Sequence, residues 1–176
     1  MKTKHPKGLP YLFFTEMWER FGYYLILGIF VRYLIEPQGM AGGLGFPDKD
    51  ADDIFGTFIA LTYLTPFLGG FLADRVLGYI KSIYLGGVLM AAGYIGVGVF
   101  KELPFFYGSL ALIIIGNGFF KPTISTLLGN LYSEEPYKAN KDSGYNIFYM
   151  GINIGAFICN IIAAFMRNKF GWGEAF

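Results

Sequence analysis

Three ionisable side chains, Glu16, Glu19 and Arg20, stand inside FFTEMWERFGYYL, residues 13–25 of a 176-residue chain, in a run otherwise apolar enough to cross a bilayer. An ionisable group at membrane depth costs roughly 2.5–3.5 kcal/mol on insertion scales, so it normally faces a bundle interior or an aqueous cavity and is paired. Helical spacing supplies part of the pairing. Glu16 and Arg20, Glu19 and Tyr23, and Arg20 and Tyr24 are each four residues apart, which puts acid, base and phenol on adjoining faces of one helix. Burial disfavours an ionised carboxylate and a nearby cation favours it, so a cluster of this kind can take up or release a proton as its pairings change. The stretch reads as the wall of a polar cavity.

A second cation in apolar surroundings is Lys121, in GNGFFKPTIST. Its position asks for the same cavity, and we expect it to face Glu16 and Glu19. The competing account is snorkelling of the ammonium to a membrane interface. Pro122 removes a backbone donor and crowds the preceding turn, which frees a carbonyl near Gly118 and predicts an irregular helix there. Packing alone would account for that proline equally well.

The elements that must hold these groups follow from composition. With 54% hydrophobic, 19% aromatic and 15% charged residues, the chain is a membrane protein. A net charge of +1 gives no reason to expect nucleic acid, and one cysteine, Cys159, makes neither an internal disulfide nor a zinc site. It reads as a small packing residue. No nucleophile with its base, metal cluster or phosphate loop occurs at useful spacing, so an enzyme is not expected, and neither is a cofactor. His5 lies in the basic lead MKTKHPKGLP, which is not expected to be a removable signal peptide, and it reads as a solvated residue.

Five segments are long enough to span a hydrocarbon core, at approximately 9–36, 51–73, 79–100, 104–128 and 143–167. The stretch EPQGMAGGLGFPDKDADD between the first two reads as a loop. Lys2, Lys4 and Lys7, then Arg75 and Lys81, then Lys138 and Lys141 fall at alternate ends, which puts the amino terminus on the cytoplasmic side of a cell inner (plasma) membrane. Lys49 and Lys101 lie among acidic residues on the outer side, while Arg167 and Lys169 count against this orientation. With about 1.5 Å per residue, Glu16 lies roughly 9 Å above Pro10 and Lys121 roughly 12 Å above Gly129, so the two charges share a depth. After the second span, GGFLADRVLGYIKS reads as a turn in which Gly69 and Gly70 permit close helix approach and Asp74 caps or pairs.

On these residues the chain resembles the proton-coupled oligopeptide transporter family, a branch of the major facilitator superfamily. TEMWERFGYY is similar to the family's first-helix signature, on Glu16, Glu19, Arg20, Tyr23 and Tyr24. GGFLADRVLGYIKSI resembles the loop motif after the second helix, on Gly70, Asp74, Arg75 and Gly78. GNGFFKPTISTLLGNLY resembles the fourth-helix segment with its lysine at Lys121, and NIFYMGINIGAF the fifth-helix signature around Asn153. The resemblance implies an all-α transporter of twelve helices in two six-helix bundles, alternating access to a central site.

This chain would be a partial amino-terminal bundle of about five transmembrane helices, with the carboxy-terminal bundle of the same protein absent. Its partners would be small peptides, protons as coupling ion, and the lipid bilayer. The resemblance makes Glu16, Glu19, Arg20 and Lys121 the proton-coupling cluster. Tyr23, Tyr24, Tyr63, Lys121 and Asn153 become the substrate site, although core packing competes for each tyrosine and interhelical hydrogen bonding for Asn153. Many family members carry a further arginine where this chain has Leu27, and Arg32 lies too far along to be assumed its replacement. The implied function is a symporter importing di- and tripeptides. The alternatives are a relative carrying nitrate or an amino acid derivative, and a membrane assembly module whose buried charges only fix helix pairing.

Overall fold

The computed structural model describes residues 5–38, 42–172, 175 and 176, so Lys2, Lys4 and the middle of the first loop lie outside the described residues. The chain forms α1 (Leu9–Ile35), α2 (Asp48–Leu72), a π-helical turn (Ala73–Leu77), α3 (Tyr79–Val99), α4 (Leu103–Leu131), a 3-10 turn (Lys138–Asn140) and α5 (Lys141–Phe170), with no strand among the described residues. The five helices match the five expected segments. Among the described residues, four are long and apolar enough to cross a membrane, and α1 is the exception although it is longer than α3. Its charges, Glu16, Glu19, Arg20 and Arg32, set it apart.

Several helix ends run past the expected limits for local reasons. Pro10 fits the first turn of α1, where its missing N–H is not needed. Asp48 and Asp50 enter the first turn of α2, where negative charge complements the unsatisfied N–H groups. The stretch after α2 is a wound π-helical turn and not the open turn expected, and it ends at Gly78, whose φ of 78° suits a residue without a Cβ.

The helices pack as α3 on α4, α1 on α5 and α2 on α4. Glycines set these approaches, as expected where apolar burial alone does not drive helices together. A Cβ on Gly151 of α5 would stand 3.0 Å from the Phe13 ring of α1, and one on Gly155 would strike the Met17 carbonyl. On α2, Gly69 lies against the Gly118 carbonyl of α4. That carbonyl is the one Pro122 leaves without its helical donor, and α4 nevertheless continues unbroken through the proline. The α2 backbone at Gly69 covers that carbonyl closely, and the break expected at Pro122 is not seen.

The reciprocal problem arises at Pro66 within α2, which leaves the Thr62 carbonyl without its helical donor. Asn117 of α4 donates from Nδ2 to this oxygen at 3.0 Å, and the Thr65 hydroxyl donates to the Ile114 carbonyl at 3.0 Å. Polar side chains thus repair the backbone and join α2 to α4 at once.

Two large apolar cores result, beside a small cluster of Leu25, Cys159 and Ala163. One gathers Leu9, Leu12, Met90, Ile124 and Leu128, and the other Ile26, Phe30, Tyr33, Phe106 and Trp172. On α1 the stretch from Glu16 to Tyr23 lies between them, so the charges form a layer between two greasy ends. At the amino-terminal end of α1, His5 is half-buried and its Nδ1 lies 2.6 Å from the Tyr132 hydroxyl. The expectation of a solvated His5 is therefore corrected, because α4 and the start of α5 reach back over the lead. At the other end, Arg167 donates to both oxygens of Glu36 at 2.9 and 2.7 Å and stacks over Trp172 at 5.0 Å. Arg167 belongs to α5 and ties its end to the end of α1 at Glu36.

Candidate functional site

The centre of the site is local to α1. One turn of helix brings Arg20 Nε to 3.3 Å from Glu16 Oε1, and the same Nε donates to Glu19 Oε2. All three residues are nearly sealed, at 4%, 9% and 5% exposure for Glu16, Glu19 and Arg20. One guanidinium therefore serves two carboxylates. The sharing is incomplete, since Glu16 Oε2, Glu19 Oε1 and Arg20 Nη2 are buried without a hydrogen-bond partner. Buried polar atoms are rarely left in that condition, and here three of them fall on one charged cluster.

The second cation comes from α4. Lys121 is partly buried, and its charge reaches both Glu16 and Glu19. Its ammonium forms no ion pair among the described residues and stands 4.7 Å from the centre of the Tyr63 ring of α2. The Arg20 guanidinium lies 4.8 Å from the centre of the Tyr23 ring. Cation–π contact holds each cation with weaker direction than a second carboxylate would. The Tyr23 hydroxyl is buried and approaches Tyr63 without completing a hydrogen bond. Tyr63 is 57% exposed, on the α2 side of the sealed charges.

A POT family sequence profile matches residues 80–176 of the chain. The chain is 40% identical over 172 residues to the uncharacterized transporter YclF of Bacillus subtilis (strain 168), covering 98% of this chain and 34% of that protein. It is 42% identical over 158 residues to a di-/tripeptide transporter of Lactococcus lactis subsp. lactis (strain IL1403), covering 89% of this chain and 31% of that protein. The chain belongs to the POT family. A crystal structure of peptide transporter POT in complex with sulfate superimposes with a TM-score of 0.91 at 38% identity, over 97% of this chain and 34% of that one. A POT family transporter in complex with 5-aminolevulinic acid gives a TM-score of 0.90 at 36% identity, over 97% and 34% of the two chains. The chain thus spans about a third of the length of the POT proteins it matches, and its fold is that of their all-α membrane bundle.

Within this POT chain, α1, α2 and α4 bring together Glu16, Glu19, Arg20, Tyr23, Tyr63 and Lys121. Tyr24 packs edge-on against Tyr23, with ring centres 5.5 Å apart, and also joins the small cluster of Leu25 with Cys159 and Ala163 of α5. Asn153 does not join the cluster. It is exposed on α5 and makes no interhelical hydrogen bond among the described residues, because Gly151 and Gly155 are the residues that turn toward α1. Cys159 is fully buried, as expected of a packing residue.

The motif after α2 stands apart from the cluster except at one point. A Cβ on Gly70 would lie 3.3 Å from Pro122 Cβ, so Gly70 seats α2 against the residue next to Lys121. Asp74 and Arg75 are exposed, and the Arg75 guanidinium lies 5.6 Å from the centre of the Phe71 ring. Arg32 is exposed at the far end of α1 and does not reach the cluster in place of the arginine that Leu27 replaces. Among the described residues no three His, Cys, Asp or Glu side chains converge as metal ligands.

One neighbour of the cluster was missed in the sequence. Tyr94 of α3 lies against Gly22 and is reached by the charges of Glu19 and Arg20. Depth could have found it, because Tyr94 is 15 residues into α3, roughly 22 Å, and Gly22 is 13 residues into α1, roughly 20 Å.

Proposed function

We propose that this chain is the amino-terminal part of a proton-coupled symporter that imports di- and tripeptides by alternating access, set in the cell inner membrane with its amino terminus cytoplasmic. The observation that carries the reading is the incomplete ion cluster. Glu16, Glu19, Arg20 and Lys121 sum to no net charge when all are ionised, yet of the two cations only Arg20 is in ion pairs. A proton arriving at either carboxylate leaves one positive charge in excess. Lys121, already without a paired carboxylate, is the group that can give that charge to the carboxylate of a peptide. Departure of the peptide restores the balance only if the proton leaves as well, which is coupling. Tyr23 and Tyr63 offer ring faces and hydroxyls that recognise backbone or an amino terminus without demanding one side chain, so selectivity would be broad. The names of the Lactococcus relative and of the peptide-transporter structure support peptides as the solute.

Labelled dipeptide uptake by the full-length protein in liposomes, with and without an imposed proton gradient, tests the reading. Gradient-dependent accumulation is expected, and uptake indifferent to the gradient overturns it. A second solute class, an amino acid derivative, is favoured by Leu27 and by the likeness to the transporter in complex with 5-aminolevulinic acid. Competition of that compound against a dipeptide separates the two. The idea of a bare assembly module predicts no solute binding in either assay.

A further inference from the structure

Tyr94 is the only α3 residue whose polar atom approaches the charged layer among the described contacts, and its ring and its hydroxyl have different explanations. The ring packs on both apolar cores and fills the space that Gly22 leaves, since a Cβ there would stand 3.1 Å from two ring carbons and 3.3 Å from the phenol oxygen. Phenylalanine would do this equally well. The hydroxyl is buried and has no hydrogen-bond partner. It lies over the α1 face that carries Glu19 three residues before Gly22, and next to Tyr23. Glu19 in turn gives Oε2 to Arg20 and keeps Oε1 buried and unpaired. A donor without an acceptor thus stands near an acceptor without a donor.

We propose that Tyr94 is a positioning residue of the acid–base cluster, its hydroxyl donating to the Glu19 carboxylate when Arg20 turns away from it. The inference rests on the reading of the cluster as a proton-coupling site. The charged and titratable groups facing Glu19 and Tyr94 are Arg20, Glu16 and Tyr23 from α1 and Lys121 from α4. Arg20 and Lys121 are the cations that Glu19 would lose to substrate, and Tyr94 is the neutral donor that remains. A carboxylate that loses its cation without gaining a donor is an uncompensated buried charge. Tyr94 would let ionised Glu19 survive the exchange.

The test is Tyr94→Phe, with Tyr84→Phe at an exposed site of the same helix as control, read two ways in the full-length protein. The first readout is the pH dependence of proton-driven dipeptide uptake. The second is infrared titration of the Glu19 carboxyl band in an Arg20→Gln background, where Glu19 has lost the cation that otherwise holds it, the band being assigned by its loss in Glu19→Gln; this readout needs no transport. A hydrogen bond to the ionised form favours that form, so its removal should raise the midpoint in both readouts by roughly one pH unit, with Tyr84→Phe unmoved. A midpoint that stays in place or falls in Tyr94→Phe overturns the inference. If the wild type shows no proton-driven uptake, the proposed function fails and the infrared titration still decides the Tyr94 contact. If Tyr94→Phe is not recovered folded, Tyr94→Met, which also removes the hydroxyl, should give the same upward shift, and an unmoved midpoint there overturns the inference equally.

Discussion

Replacing either glutamate of the α1 cluster by glutamine should uncouple accumulation from the proton gradient. Arg20 bridges both carboxylates while Lys121 stands unpaired over Tyr63, so the ionised cluster is neutral and one proton per cycle makes it singly positive. On the proposed reading, a zwitterionic dipeptide adds no net charge and each turnover would carry one proton and one charge inward. With 100 mV of membrane potential, about 2.3 kcal/mol, and one pH unit, about 1.4 kcal/mol, the driving force is about 3.7 kcal/mol. That corresponds to roughly 500-fold accumulation at one proton per peptide. Glu19→Gln or Glu16→Gln keeps the shape and fixes the neutral form, so accumulation should fall to about onefold while the protein still binds peptide. The assay is labelled dipeptide uptake into liposomes under imposed pH and potassium-diffusion gradients, with a protonophore as reference. Gradient-dependent accumulation well above the protonophore level in both variants would refute the charge-balance argument.

Three further outcomes follow from particular contacts. Lys121→Gln removes a cation that holds no ion pair, so thermal stability should be nearly unchanged while the KM for peptide rises at least tenfold, measured by melting in detergent and by uptake. Asn117→Ala leaves the Thr62 carbonyl, which Pro66 already deprives of its helical donor, without a partner; a loss of about 1 kcal/mol is expected, within the range measured for hydrogen bonds between membrane helices, and an unaltered unfolding curve would show that the bond is not needed. The Glu36–Arg167 pair is about 30% exposed on each side, so a double-mutant cycle with Glu36→Ala and Arg167→Ala should give a coupling of 1 kcal/mol or less that shrinks as salt is raised.

The sequence by itself determined what lies within one helical turn and what a bilayer demands. Spacing of four residues is enough to make Glu16 and Arg20 partners, because an α-helix fixes that geometry wherever it sits. The hydrophobic runs placed five helices, and shared depth brought Lys121 to the level of the glutamates. Rotation of α2, α3 and α5 about their own axes was not legible, for apolar residues lie on every side of them and no buried charge marks an inward face as Glu16 and Arg20 do on α1 and Lys121 on α4. Tertiary packing decided it through small residues: Gly151 and Gly155 turned Asn153 away from α1, Gly22 made room for Tyr94, and Gly69 covered the carbonyl that Pro122 had freed. The same reason hid the contact of His5 with Tyr132, since a bond across 127 residues depends on where α4 ends in space and not on anything near either partner in the chain.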